Sequence, residues 1–242
     1  MIKKAIILNC DDLGLSNSVN NAVEECYKIG IMKSGTVLVN SDSYYDAINY
    51  FSKQEDFSCG IHFVLTFGKA TTTNLKYCVD ENNNFIKGSG SALESLFSKE
   101  SEVDLELEFR EQLKKFIDVA NTKPSHIDSH HHVHQVDKVD KIINKIAKEL
   151  NVSIRSTKGE KYIVNDVTYH EFCGAIYNVF TLEKFEEIIA NNKTNTEYMV
   201  HIAKTNDTRI FSSYVEGRVK EYDLLINNKE YLLNKYIFRK KV

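Results

Sequence analysis

A short run of apolar residues, a helical pattern and a second β-branched run follow one another at the start of this sequence. Ala5 to Leu8 form the first run, which is typical of a strand buried on both faces. Ser16 can then cap the start of a helix, and Gly30 can end it. The segment "GTVLVNS" at 35–41 restores the strand pattern. Because this order requires a crossover connection, the two strands are predicted to be parallel.

The same alternation continues along the chain. Further strands are predicted in "CGIHFVLT" (59–66), "SHIDSH" (125–130), "NVSIRS" (151–156) and "YMVHIA" (198–203). Apolar residues at helical spacing predict helices over 103–120, 136–150 and 182–190, and a polar stretch over 67–98 predicts a long loop. This alternation suits either a (β/α) barrel, with eight units or fewer, or an open doubly wound sheet. One domain over residues 1–242 is expected.

Composition narrows the class of protein. Lys and Arg number 31 against 34 Asp and Glu, so a net charge of -3 provides no field that would attract nucleic acid. No apolar stretch is long enough to span a bilayer, and the short run after the N-terminus lacks a cleavage site. The five widely spaced cysteines predict neither a disulfide framework nor a zinc knuckle. A cytoplasmic protein that acts on a small substrate is expected.

Polar side chains collect where the predicted strands end. Both candidate architectures place their chemistry at the carboxyl ends of parallel strands. Five of the eight histidines lie in "HIDSHHHVH", at 126–134. The candidate residues at these ends are Asp11, Asp12, His62, His130, Arg155 and His201.

Two imidazoles and one carboxylate can hold a divalent ion and leave coordination positions open for water or a carbonyl oxygen. Asp12 can supply that carboxylate, while its unliganded neighbour Asp11 can take a proton from the water. Simpler alternatives exist for each feature. The adjacent acids can complement a helix dipole, the histidine cluster can be an exposed loop, and Arg155 can be either an ion-pair partner or a substrate anchor.

Three motifs resemble those of the YdjC-like carbohydrate deacetylases, the group that includes chitooligosaccharide deacetylase. "NCDDLGLSNSVNNAV" is similar to the N-D-D-F-G-L-S motif, "GIHFVLTFGK" to G-x-H-x-x-L-T, and "KPSHIDSHHHVH" to P-x-H-x-D-S-H-H-H-V-H. The three motifs occur in family order with similar separations. Leu13 stands where the family has phenylalanine, and Ile202 follows His201 where the family commonly has proline.

The resemblance implies a distorted (β/α) barrel related to polysaccharide deacetylases, and metal-dependent hydrolysis of an N-acetyl group on an amino sugar or chitooligosaccharide. Carried over by motif, the metal ligands are Asp12, His62 and His130, and Asp11 is the general base. His201 is the general acid, and Arg155 lies near the substrate. The family's ion is magnesium, although a donor set with two imidazoles also suits zinc, manganese or cobalt. A homodimer is a further expectation from the family.

Two other functions stay open from the sequence. A metal-dependent phosphoesterase on a similar barrel would use histidine and aspartate clusters to hold two ions. A non-catalytic relative would keep the fold and bind a sugar or a metal without turnover. The number of ions per chain and an assay for acetate release distinguish these functions.

Overall fold

The computed structural model describes residues 3–86, 101–156, 162–164, 166–175, 178–193, 195–206 and 213–241. Parallel strands form one central sheet, and the helices connect successive strands. The strands are β1 (Lys4–Leu13), β2 (Ser34–Val37), β3 (Ser58–Phe63), β4 (His126–Ser129), β5 (Ser153–Arg155), β6 (Tyr162–Val164), β7 (Val167–His170), β8 (Phe172–Ala175), β9 (Thr196–Val200) and β10 (Tyr236–Phe238). The helices are α1 (Asn17–Ile29), α2 (Tyr44–Phe51), α3 (Glu102–Ala120), α4 (Asp137–Leu150), α5 (Leu182–Ala190), α6 (Val215–Asn227) and α7 (Lys229–Lys235).

The strand pairing closes the sheet into a distorted barrel. The order of hydrogen-bonded neighbours is β6-β7-β5-β4-β3-β2-β1-β9-β8, and β10 pairs with the start of β1. All these pairs are parallel except β6 with β7. Only Glu171 separates β7 from β8. One extended segment therefore pairs with β5 at its start and with β9 at its end, and it joins the two sides of the sheet. The predicted distorted (β/α) barrel is confirmed, and the open doubly wound sheet is not what forms.

The predicted elements are present with shifted bounds. Ser16 caps α1 by accepting a hydrogen bond from the Val19 amide, and Gly30 ends the helix in the left-handed region at φ 95°. The first strand runs on to Leu13, well past the apolar residues that predicted it. The predicted loop over 67–98 is irregular as far as residue 86, with bridges Lys69 to Asn84 and Val79 to Phe85, and its remainder lies outside the described residues.

Among the described residues, no helix is both long and apolar enough to cross a membrane. The cysteines whose side chains are described are buried and free of disulfides, as the spacing predicts. These are Cys10, Cys26, Cys59 and Cys78.

Candidate metal centre and its supporting charges

Three side chains from separate parts of the chain meet at the carboxyl end of the barrel. Asp12 Oδ1 lies 3.3 Å from His62 Nε2 and 2.9 Å from His130 Nδ1. One ligand atom from each of the three lies within 4.8 Å of the others. The structure thus brings together the three residues that were expected to bind the metal. Their donor set, two imidazole nitrogens and one carboxylate, suits a divalent ion and leaves coordination positions free.

The local backbone explains how two adjacent carboxylates serve different neighbours. The pairing of β1 with β2 shifts register between Cys10 and Leu13, and Asp12 adopts a left-handed φ of 60°. Aspartate tolerates this region better than most residues. His62 lies in β3 opposite Asp128 of β4, and His130 follows directly after β4 at the start of a 3-10 segment, His130–Gln135. The carboxyl ends of β1, β3 and β4 therefore supply the three side chains.

Asp11 is held inside the barrel by an arginine. Arg155 donates from Nη1 to Asp11 Oδ2 over 2.7 Å and from Nη2 to Asp11 Oδ1 over 2.6 Å. Asn9 Nδ2 also donates to Asp11 Oδ1, over 2.9 Å. Burial by itself would raise the pKa of Asp11, but the Arg155 guanidinium holds that pKa well below its usual range. Asp11 is therefore ionised at neutral pH, beside the candidate centre, and His62 Nδ1 lies 4.0 Å from its Oδ2.

The second nitrogen of His62 is bound by a carboxylate. Asp128 Oδ1 lies 2.6 Å from His62 Nδ1, and Thr36 Oγ1 donates to Asp128 Oδ2 over 2.9 Å. Such a carboxylate partner fixes the orientation of a metal-binding imidazole and makes it a better ligand. Burial would lower the pKa of His62, yet Asp128 and Asp11 raise it to about 10. A cation that binds Nε2 would take the place of that proton.

Arg155 is fully buried, at 0% exposure. Besides Asp11 it contacts Asp128 Oδ2 over 2.7 Å, and it donates from Nε to Glu197 Oε1 over 2.9 Å. These contacts agree with the first of the two roles that the sequence left open for Arg155, that of an ion-pair partner. Its role near the substrate stays a prediction, and this burial leaves the guanidinium no surface for direct contact.

His201 follows β9 and is half-buried. Its backbone N–H donates to Glu221 Oε2 over 2.6 Å, and its ring lies edge-on to Tyr214 at 6.0 Å. Burial, reinforced by the positive charge of Arg218, lowers the pKa of His201 to about 4. The neutral imidazole must therefore gain a proton before it can act as an acid. Its role as the general acid stays a prediction.

Helix α6 contributes two buried groups that the sequence analysis missed. Arg218 Nη2 donates to Asp12 Oδ2 over 2.5 Å, whereas His62 and His130 approach Asp12 Oδ1. Glu221, one turn further along, accepts a hydrogen bond from Tyr214 Oη over 2.5 Å. Burial raises the pKa of Glu221 to about 8. The i, i+3 spacing of Arg218 and Glu221 is a visible signal, but it is also common on surface helices.

The histidine cluster divides between the centre and the core. His126 lies inside the barrel, with Nε2 3.2 Å from Asn9 Oδ1, and His134 is buried with Nδ1 2.5 Å from Ser129 Oγ. His131 is exposed, and its Nδ1 lies 2.9 Å from Thr66 Oγ1. An exposed loop therefore does not describe the cluster as a whole, because its first and last histidines are buried.

The fold has counterparts among solved structures. A protein of Enterococcus faecalis named for cellobiose-phosphate cleavage aligns with a TM-score of 0.80 at 23% identity, over 99% of this chain and 98% of its own. A polysaccharide deacetylase of Bacillus cereus aligns with a TM-score of 0.54 at 10% identity, over 99% of this chain and 93% of its own. At these identities the likeness concerns the fold, which is the distorted barrel found in polysaccharide deacetylases.

The chain belongs to the YdjC-like protein family, whose model matches residues 5–230. A carbohydrate deacetylase of Clostridium beijerinckii is 34% identical over 234 residues, 93% of this chain and 92% of the relative. A chitooligosaccharide deacetylase of Yersinia enterocolitica is 29% identical over 234 residues, 93% of this chain and 92% of the relative. The family predicted from the three motifs is confirmed, and the names of these relatives agree with the predicted enzyme class.

Proposed function

We propose that the chain is a metal-dependent carbohydrate deacetylase that hydrolyses N-acetyl groups on amino sugars or chitooligosaccharides. The meeting of Asp12, His62 and His130 beside the ionised Asp11 supports this proposal most directly. The activities named for the relatives from Clostridium and Yersinia support the substrate class. The proposal covers one domain over residues 1–242.

Asp12, His62 and His130 would hold the ion. A divalent ion bound there supplies a Lewis acid for the acetamide oxygen and lowers the pKa of a water molecule. Asp11 takes a proton from the attacking water, because it is ionised and has no place among the three ligands. His201, neutral in the native protein, first takes up a proton and then donates it to the amine nitrogen as the C–N bond breaks, since an amide anion is a very poor leaving group. Acetate and a free amino sugar are the products.

The phosphoesterase alternative requires a second ion. Asp11, His62 and Asp128 form another group of close ligand atoms, but all three are buried. Arg155 already contacts both carboxylates of this group, at 2.6 and 2.7 Å. A guanidinium in that position repels a second cation, so the contacts favour one ion per chain and the deacetylase.

The direct test is acetate release from N-acetylated chitooligosaccharides, measured with and without a chelator. We expect release that stops on chelation and returns when a divalent ion is added. Metal analysis of the same sample should give about one ion per chain. Release of phosphate from phosphate esters together with two ions per chain would favour the phosphoesterase. An ion bound without any turnover would favour the non-catalytic relative.

Three finer expectations stay predictions. Magnesium is expected as the ion, with zinc, manganese or cobalt as substitutes, and activity after reconstitution with each ion tests this. A cytoplasmic location and a homodimer are the others. Light scattering of the purified chain tests whether it forms the homodimer.

A further inference from the structure

Lys241 lies at the far end of the barrel from the candidate metal centre. It is the last described residue, and it falls beyond the segment 5–230 that the family model matches. Strand β10 pairs with the start of β1, at Lys4 to Ile6, so the end of the chain passes beneath the amino ends of the strands. The Lys241 carbonyl accepts a hydrogen bond from Ser58 Oγ at the start of β3. The Lys241 side chain has 0% exposure.

A continuous series of ion pairs connects this lysine with the metal centre. Lys241 Nζ lies 2.5 Å from Glu197 Oε2, and Arg155 Nη2 lies 2.7 Å from Glu197 Oε1. Arg155 in turn contacts Asp11 and Asp128, and Asp128 contacts the His62 imidazole. We call the five charged residues that connect Lys241 with the His62 imidazole the interior ion network. It consists of Lys241, Glu197, Arg155, Asp11 and Asp128.

The interior ion network contains three carboxylates and two cations, all with buried side chains. Each carboxylate contacts Arg155, so Glu197 competes with Asp11 and Asp128 for the same guanidinium. Lys241 binds the other oxygen of Glu197. Asp11 and Asp128 also lie beside the His62 imidazole, whereas without Lys241 Glu197 would depend on Arg155 for its charge compensation, and an uncompensated buried charge is strongly unfavourable. Arg155 would then move toward Glu197.

We propose that Lys241 is a positioning residue for the reaction centre. By holding Glu197, it leaves Arg155 free to keep Asp11 and Asp128 in place, and these two residues orient the proton acceptor and the His62 ligand. This inference rests on the proposed function as far as it concerns Asp11. The segment after β10 thereby becomes part of the support of the site, although it lies at the opposite end of the barrel.

Lys241→Met removes the charge and keeps most of the length of the side chain. We expect kcat to fall about 10-fold or more, the usual effect of losing an outer support of a metal site, with KM little changed. Lys241→Arg restores the cation and should recover most of kcat. Lys240→Met is the matched control, because Lys240 is exposed and its Nζ donates to the Glu55 carbonyl over 2.8 Å. Equal kcat values for Lys241→Met and Lys240→Met would overturn the inference.

A second variant keeps the test decisive if Lys241→Met does not fold. In the double variant Glu197→Gln with Lys241→Met, the competitor for Arg155 is neutral, so the missing cation is no longer needed. We expect this variant to fold and to recover kcat to within a few-fold of the wild type, since its charge imbalance is removed. A double variant as impaired as Lys241→Met would show that Lys241 acts by packing alone.

Cobalt binding separates this inference from the proposed function. Co²⁺ bound at the centre can be followed by visible absorption without any substrate. Lys241→Met should bind Co²⁺ about 10-fold more weakly than Lys240→Met, because Asp128 no longer orients His62. If the wild type releases no acetate while this difference appears, the proposed function fails and the positioning role stands. Acetate release by the wild type with equal Co²⁺ affinities for the two variants rejects the positioning role.

Discussion

Asp11 and Asp12 are adjacent carboxylates with separate partners. Asp11 contacts the Arg155 guanidinium, whereas Asp12 contacts His130, His62 and Arg218. Burial opposes ionisation of Asp12, but His130 and Arg218 hold its pKa well below the usual range. Both carboxylates are therefore ionised at neutral pH despite their proximity. The left-handed φ at Asp12 is what directs the two side chains to different partners.

Asp11→Asn tests the proposed base. The amide cannot accept a proton from water, yet it keeps the size of the side chain and an oxygen for Arg155. We expect kcat for acetate release to fall by about 10²–10⁴, the range for loss of a general base. Co²⁺ affinity should stay within a few-fold of the wild type, because Asp11 is not one of the ligands. Acetate release at the wild-type rate would remove Asp11 from the mechanism.

Glu221 makes the stability of the protein depend on pH, and its contribution can be measured separately by comparison with a Glu221→Gln variant. Its pKa rises from 4.5 to about 8 in the native protein, chiefly by burial, so between these values the native state binds a proton that the unfolded state has lost. This contribution is complete below pH 4.5 and is lost as pH rises through about 8. The free energy of unfolding of the wild type, relative to Glu221→Gln, should fall by up to about 1.4 kcal/mol per pH unit.

Chemical denaturation of both proteins between pH 5 and 8 measures this difference. The comparison with Glu221→Gln removes the contributions of the other titrating groups, which both proteins share. Parallel stability curves for the two proteins across this range would show that Glu221 titrates at an ordinary pKa.

The metal-ligand candidates could be predicted from sequence because each lies at a strand end, within a short motif. Arg218 could not, because it contacts Asp12 from a helix 206 residues further along the chain. No local pattern records such a contact. For Arg155 the sequence left two roles open, since a strand-end arginine fits both. Its complete burial among three carboxylates is a property of the folded barrel.

At the level of elements, apolar runs predicted where strands begin better than where they end. The pattern of β1 stops at Leu8, but the strand continues to Leu13 because Asn9, Asp11 and Asp12 are buried among polar partners inside the barrel. In the second half of β1, buried polar side chains with polar or charged partners take the place of buried apolar side chains. Strands β6, β7 and β8 were not predicted, and each has only three or four residues. Such short strands depend on their neighbours more than on their own pattern.

Gly60 determines how closely β3 approaches β4. A methyl group added at Gly60 would lie 2.7 Å from His126 Cε1 and 2.8 Å from the His126 carbonyl oxygen. Because backbone must move to relieve this contact, Gly60→Ala should lower the free energy of unfolding by about 1–3 kcal/mol. It should also weaken Co²⁺ binding, since His62 lies two residues further along β3. Urea denaturation and cobalt absorption measure the two effects.

Gly35→Ala on β2 is the milder comparison. Its added methyl would lie 3.2 Å from the Cys10 carbonyl oxygen and from Leu13 Cδ2, so smaller adjustments relieve the contact. A loss of stability for Gly60→Ala no larger than that for Gly35→Ala would contradict the proposed constraint between β3 and β4.

For the whole molecule, the sequence supported two arrangements of the same parallel strands. The barrel forms because the segment containing β7 and β8 pairs with β5 and then with β9. Pairings at such long range leave no periodic signal in the sequence. The sequence alone therefore could not distinguish the barrel from the open doubly wound sheet. The barrel interior is also unusual for a core, because a network of charged residues runs from Lys241 to the metal centre. An ion bound at the candidate metal centre would therefore act on a charge balance that extends through the barrel.

Binding of a divalent ion should stabilise the whole barrel. An ion that binds only the native state adds about 2.7 kcal/mol at 100 times its Kd. For a chain of this size that corresponds to a rise in Tm of about 5–10 °C, measurable by differential scanning fluorimetry with Mn²⁺ or Zn²⁺ and reversible by a chelator. Asp12→Asn should show almost no rise, because it lacks a charged ligand. An equal rise in Asp12→Asn would place the ion elsewhere, since stabilisation without Asp12 cannot come from a centre that Asp12 helps to form.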